Sequence, residues 1–442
     1  MRSLRQSALL AQPRRSPDMS KILVIGAGLA GLSSALMLRE QGHTVTVVSR
    51  GIGGLLLSNG TIDVLGWEDG VRSTEPVRKL SSALESFITK NPAHPYAAIG
   101  TANVLEGVKW LTRRIDLFST ARSKEDFLDT NVLMPTAVGA VRPTAAVPDS
   151  MQESILKDGK KLLIVGLSRL KDFPVQLIAD NLSRSPYVDV SARCITIDLP
   201  LRGGKEHDAS GTTHARSLDE GLNSAERQAL IQAIKKEVQE GETVLVPAVL
   251  GLDPHTFTEI SAEVGAPVGE IPLPPPSVPG RRINDILTVA CREARIDIQL
   301  NAVATGFIAA GDSISAVKVQ RAGRVSEVKA DYIIHAGGGY ESGNLARDSY
   351  GVIRESVFDL PIYTPEVTDK DFHAEAIYRS GVRVNGSMNP LNTDGEVLYS
   401  NLFCLGDCLG GALAWEEKSG EGITLGSAWA AATAIQKGNE EL

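Results

Sequence analysis

Residues 22–31 read I-L-V-I-G-A-G-L-A-G: apolar strand-forming side chains run into G-x-G-x-x-G and then into the helical stretch 32–39. That pattern is a phosphate cradle for a dinucleotide or a flavin. Gly26 permits the tight strand-to-helix turn, Gly28 lets the backbone approach a phosphate with no Cβ in the way, and Gly31 lets helix and strand pack closely. The anion then rests on the helix N-terminus, where free amides and the positive end of the helix dipole converge. An ordinary βα turn carries some of the same glycines, so the flanking sequence has to decide.

Gly42 stops the helix, and T-V-T-V-V at 44–48 has the β-branched content of a buried parallel strand, completing a βαβ unit. An acid usually ends that second strand and holds an adenosine ribose. Ser49 and Arg50 stand there instead. Arg50 is placed either to meet a phosphate, the 2′-phosphate of NADP or the terminal phosphate of FMN, or simply to be solvated at a strand end. The next residues, G-I-G-G-L-L-L-S-N-G-T-I-D, put Gly51, Gly53, Gly54 and Gly60 beside Ser58 and Asn59. A flat isoalloxazine lying on backbone calls for such a loop; a structural glycine turn is the alternative.

Two distant pieces share this logic. D-Y-I-I-H-A-G-G-G-Y at 331–340 is a short apolar strand closed by three glycines, Gly337 first, and a hairpin with its turn at R-A-G-R precedes it. N-L-F-C-L-G-D at 401–407 is a strand ending in Gly406-Asp407, followed by an alanine-rich helix at 421–434 that Gly422 and Ile423 lead. In flavoproteins of the two-dinucleotide-binding class, such a glycine-acid pair holds the ribityl chain, and the helix points its N-terminus at the flavin N1 and O2, stabilising the anionic reduced ring. The fold these pieces predict is α/β: a Rossmann-like, FAD- or FMN-binding, doubly wound parallel sheet with a three-stranded antiparallel meander and an inserted α/β domain. The expected segments are a disordered extension at 1–18, a flavin-binding part at 19–70, the insertion at 71–271 and the second flavin-binding part at 272–442. Met19 is a plausible start.

Within the insertion, 161–167, 194–199 and 243–250 read as strands and 174–184 as a helix; Gly166 alone at the first turn leaves this unit without a phosphate fingerprint. Residues 202–221 read as a mobile loop and 224–240 as an amphipathic helix with a solvated charged face. A net charge of −8 argues against nucleic acid as a partner. Cys194, Cys291, Cys404 and Cys408 are too scattered for an iron-sulfur or other metal site or a disulfide framework, which suits a reducing cytoplasm. The apolar run 22–38 behind Arg14-Arg15 is already explained as strand, turn and helix, so no membrane signal is expected. Arg281, Arg282, Arg379 and Arg383 lie near glycine motifs and are candidates for a phosphate. His94, His335 and His373 are the histidines nearest recognisable motifs, and none recommends itself as a catalytic base, which leaves the catalytic residues open.

From about residue 21 to its end the chain resembles the B subunit of anaerobic glycerol-3-phosphate dehydrogenase. The resemblance rests on I-G-A-G-L-A-G-L, S-R-G, L-S-N-G-T-I-D-V-L, H-P-Y at 94–96, K-K-L-L-I-V-G-L-S-R-L-K-D-F at 160–173 and V-P-A-V-L-G-L at 246–252. It continues in L-P-P-P-S-V-P-G-R-R at 273–282, E-S-G-N-L at 341–345 and L-G-D-C-L-G-G at 405–411. The resemblance implies a flavin subunit, usually with FMN, of a complex that oxidises sn-glycerol 3-phosphate to dihydroxyacetone phosphate and passes electrons to menaquinone. Its implied partners are a catalytic FAD subunit and an iron-sulfur subunit that anchors the complex at the inner face of the cytoplasmic membrane. Asp407 departs from the neutral residue expected in this family, which keeps FAD as the alternative cofactor. A stand-alone fumarate-reductase-like oxidoreductase and a redox-silent scaffold subunit are the competing functions.

Overall fold

The computed structural model describes residues 19–70, 73–123, 127–199, 208–219, 224–365 and 377–440; the expected N-terminal extension and His373 lie outside them. The opening motif folds as strand Lys21–Ile25, helix Leu29–Glu40 and strand Thr44–Ser49, with Ile22 in register with Val45. Strand Tyr332–His335 pairs on the other side of the first strand and Leu402–Cys404 lies beyond it, while Asp297–Leu300 closes the opposite edge. All five strands are parallel, so both sheet faces must be covered, and the apolar residues of the inner strands are accordingly buried, while Leu300 on the edge strand stays exposed. The expected doubly wound sheet is the sheet the chain forms, assembled from sequence-remote pieces. The antiparallel meander follows as Ala302–Ala310, Ser313–Arg321 and Arg324–Val328, the last two joined through Ala322 and Gly323, both at positive φ as a two-residue hairpin turn requires.

A second parallel sheet has the order Val190–Ile197, Lys160–Leu167, Glu242–Pro247, Val268–Ile271 and its own apolar core. Helices Val175–Ser183, Ala225–Glu237 and Pro254–Val264 cover it. Helices Leu80–Lys90 and Thr101–Arg114, although they fall within 71–271, bury Leu84, Phe87, Val104 and Leu111 in the core of the first sheet. The second of them packs at backbone distance on helix Gly420–Glu440: a Cβ on Gly107 would sit 2.3 Å from the Leu425 carbonyl oxygen.

Two expectations for this region are corrected. The described part of the stretch read as a mobile loop contains helix Gly211–Leu218, because Ser210 caps the Thr213 amide and His214, Ala215 and Leu218 turn inward. The charged face of Ala225–Glu237 is not wholly solvated either. Arg227 is 1% exposed and bonds Glu259 at 2.6 Å and the Leu218 carbonyl at 2.8 Å.

Candidate functional site

The three remote segments meet in one cleft of about 720 Å³ at the carboxyl ends of the first sheet's strands, the usual ligand position in open α/β folds. On its floor, Gly26 has φ 108° and donates its amide to the Val48 carbonyl at 2.8 Å; a Cβ there would lie 2.1 Å from the Ala336 carbonyl oxygen. Gly28 precedes the first helix with no side-chain cap, so the amides of the first turn, which have no intrahelical acceptor, open on the cleft. At the end of the second strand the Ser49 hydroxyl donates to the Gly51 carbonyl at 2.7 Å. Arg50 extends past Gly343 and, among the described residues, has no carboxylate partner.

The glycine loop crosses directly over this cradle. Gly53 has φ 79°, and a Cβ on it would be 2.5 Å from the Gly28 backbone. After the short 3-10 turn Gly54–Leu57 come Ser58 and Asn59, both lining the cleft. The loop is clamped from outside by the start of helix Val278–Glu293: the Ser277 amide donates to the Leu56 carbonyl at 2.8 Å, and Gly280 lies against the Leu55 carbonyl. Gly337 lies in the turn that Asn344 ties to the Gly338 carbonyl, and Gly406, with φ 69°, brings its turn against Ala30 of the first helix. Asp407 lines the cleft as an exposed residue of the turn Gly406–Cys408.

Twelve of the fifteen sequence-predicted site residues line this one cleft: Gly26, Gly28, Ser49, Arg50, Gly53, Gly54, Ser58, Asn59, Gly337, Gly406, Asp407 and Ile423. The other three serve packing. A Cβ on Gly31 would strike the Gly26 carbonyl at 2.0 Å, one on Gly60 would meet Pro279 at 2.4 Å, and one on Gly422 would meet the Tyr96 hydroxyl at 2.2 Å. Gly422 therefore faces the interior, while Ile423 and Thr424 of helix Gly420–Glu440 face the cleft.

Among the described residues, the arginines and histidines singled out for phosphate or proton chemistry are engaged elsewhere. Arg282 is 3% exposed at its side chain and holds the fully buried Glu270 at 2.6 Å and the Gly251 carbonyl at 2.9 Å, joining the loop clamp to the second sheet. Arg281 pairs with Asp285, Arg379 approaches Glu417 at 3.9 Å, and Arg383 stacks on Tyr363. His94 is buried against Glu417 at 3.1 Å. His335 is fully buried against Glu355 at 3.1 Å; burial opposes its charge, but the hydrogen bond and charge of Glu355 outweigh that and raise its pKa.

Sequence reasoning missed a polar cluster at the deep end of the cleft. Asp63, directly after the L-S-N-G-T-I run, accepts from Arg142, from the Thr144 hydroxyl at 2.6 Å and from the Thr61 hydroxyl at 3.0 Å. The Asn59 amide, oxygen toward Arg142, accepts from the same guanidinium. Glu421, in the first turn of the C-terminal helix, accepts from the Ser58 hydroxyl at 3.1 Å and the Asp63 amide at 3.4 Å. Lys418 completes the group; its ammonium donates to the Trp415 carbonyl, and burial followed by Arg142 lowers its pKa. The motif containing Asp63 was legible, but nothing in R-P-T announces that Arg142 crosses to meet it.

These residues fit a flavin: amides and Arg50 at one end for phosphate, glycine backbone over the middle, and polar side chains at the far end. A family of FAD binding domains matches residues 21–423. The chain is 32% identical over 432 residues to the probable anaerobic glycerol-3-phosphate dehydrogenase B subunit of Halobacterium salinarum, covering 94% of this chain and 97% of that protein. It is 27% identical to the anaerobic glycerol-3-phosphate dehydrogenase B subunit of Actinobacillus pleuropneumoniae, with 94% and 98% covered. Among solved structures, a flavocytochrome c3 fumarate reductase is similar at 12% identity and a TM-score of 0.42, over 96% of this chain and 79% of that one.

Proposed function

Because this chain belongs to the FAD binding domain family and, within it, to the B-subunit family of anaerobic glycerol-3-phosphate dehydrogenases, we propose that it is the electron-relaying flavin subunit of such a complex. It takes electrons released when sn-glycerol 3-phosphate becomes dihydroxyacetone phosphate and passes them towards menaquinone. Its partners are a catalytic FAD subunit and an iron-sulfur subunit that anchors the assembly at the inner face of the membrane. Contact with the membrane runs through those partners; among the described residues no helix is long and apolar enough to cross one.

The observation that carries this reading is the division of labour along the cleft. Its first-helix end offers unpaired amides and Arg50, the equipment for one phosphate. At the other end the Arg142 guanidinium is already matched by Asp63, and His94 and His335 are sealed in ion pairs. Among the described residues lining that end, the one guanidinium is committed to Asp63, which supports relay over the binding of a phosphorylated substrate there. A bound flavin supplies the two-electron to one-electron interchange such a relay requires. The chain's own residues hold and orient it: Gly28 and the first-turn amides at a phosphate beneath Gly53 and Gly54, Ser58 and Asn59 at the ring edge, Asp407 at the sugar-alcohol chain. Arg50 in place of a ribose-binding acid supports FMN, with FAD as the alternative because Asp407 is present. The deciding experiment is the visible spectrum of purified protein and the identity of the chromophore released on heating. FMN that is reduced by glycerol 3-phosphate only with the partner subunit present is the expected result. Colourless protein that takes up neither flavin refutes the reading, and bleaching by substrate without partners refutes the relay.

A further inference from the structure

Among the described residues, Glu421 is the carboxyl group that the fold brings to the cleft wall from the first turn of a long helix, and its two oxygens are held by separate groups: the Ser58 hydroxyl at 3.1 Å and the Asp63 amide at 3.4 Å. The same helix start is bolted to that segment by the Gly422 amide, which donates to the Asp63 carbonyl at 2.9 Å. We propose that Glu421 is the proton-holding group of this cleft: it takes one proton from solvent onto a carboxylate oxygen when electrons enter the bound flavin, and returns it to solvent when they leave. This rests on the flavin reading above.

The neighbours of Glu421 set it apart from an ordinary helix-start acid. Asp63 faces it with like charge; Arg142, from strand Val141–Thr144, and Lys418, just before the helix, oppose that charge; and the Tyr96 hydroxyl, from helix Pro95–Ile99, is held by the Val64 and Ser419 carbonyls beside it. Arg142 is committed to Asp63 and Asn59, so the cation that would otherwise hold Glu421 ionised is largely spent. Burial, then Asp63, push the Glu421 carboxyl up to about 7, so both its forms are populated near neutral pH. Negative charge arriving on a neighbouring group raises such an acid's proton affinity further. In each cycle the electrons come from glycerol 3-phosphate by way of the partner and leave to an oxidised acceptor. The proton comes from and returns to water, and only an O–H bond forms and breaks on this chain.

The first measurement needs no flavin. In apo-protein, the infrared C=O stretch of protonated carboxyls is followed against pH; wild type shows one carboxyl titrating near 7, Glu421→Gln lacks it, and Ser58→Ala, which removes a bond favouring the carboxylate, shifts it upward. In flavin-loaded protein, proton uptake per electron pair varies with pH across neutrality in wild type and is flat in Glu421→Gln. A carboxyl that titrates only in the ordinary range, the same titration in Glu421→Gln, or unchanged proton uptake in that variant each overturns the proposal. Should Glu421→Gln fail to fold, the Ser58→Ala shift decides. Failure to bind flavin sinks the functional reading and with it the coupling to electron entry, whereas a missing apo titration at Glu421 overturns the proton-holding role with the functional reading intact.

Discussion

Gly28 and Gly26 stand two residues apart in the same turn, and the structure assigns them opposite sensitivities. Gly28 has φ −82° and ψ −172°, a conformation open to any residue, and a Cβ on it would meet only the Gly54 amide nitrogen at 3.8 Å. Gly28→Ala therefore leaves the apo fold intact and even restricts the unfolded chain, which stabilises by about 0.4–1 kcal/mol. The new methyl lies in the cleft where the phosphate has to approach. Losing one charge-assisted hydrogen bond to that phosphate costs about 1.5–3 kcal/mol, or about 10- to 150-fold in flavin affinity. Gly26→Ala behaves differently: φ 108° and a Cβ 2.1 Å from the Ala336 carbonyl add a backbone clash to the ~1–2 kcal/mol of left-handed strain, so the fold itself weakens. Denaturant unfolding of both apo-proteins and fluorescence titration with FMN and FAD separate the cases. If Gly28→Ala binds flavin within twofold of wild type while folding normally, no phosphate sits at the start of the first helix.

Arg282→Met strands the buried Glu270 and should destabilise by about 3–5 kcal/mol; adding Glu270→Leu should recover much of that, and a double mutant no better than the single would show that the pair is not an isolated unit. Thiol reagent on native protein should reach at most Cys194, slowly because burial and Asp180 raise its pKa, whereas Cys291, pushed up to about 12, and Cys404, raised by burial, stay protonated inside. Denaturation should expose all four; rapid labelling of Cys291 in the native state would contradict the packing. The His335–Glu355 pair predicts two pH limbs. His335, raised above 6.5, stabilises fully below that value and less as pH climbs through its folded pKa. For Glu355, burial works against its charge, but bonds from His335 and the Phe358 and Val357 amides prevail and lower its pKa, so its contribution is lost as pH falls through the folded value. His335→Gln should flatten the alkaline limb in a pH series of thermal melts, and an unchanged profile would exclude the charge pair.

Four of the five strands of the first sheet were legible because their signals are local: β-branched runs, glycines where φ turns positive, and an alanine-rich helix with one short connection. The strands Asp297–Leu300 and Val268–Ile271 were not, since D-I-Q-L and V-G-E-I lack the apolar continuity of a buried parallel strand and are recruited by neighbours. Glu270 is tolerated in the core only because Arg282 reaches it. The glycine set of the cleft was readable to the extent that a cofactor cradle and a packing contact ask for different things. At Gly31, Gly60 and Gly422 both readings call for the same missing Cβ, and only the facing atom tells them apart. The Asp63, Arg142, Lys418 and Glu421 cluster was invisible for a further reason: four ordinary surface-type residues acquire their character from one another, and no spacing along the chain encodes that.

The cleft draws its walls from residue 25 onward and closes only with residues as late as Thr424. A nascent chain that has emerged only through the second strand can hold the opening turn and helix but has no far wall, so cofactor capture must wait until residues up to Thr424 have been made. Loss of helix Gly420–Glu440 to a protease would remove that wall and release the prosthetic group.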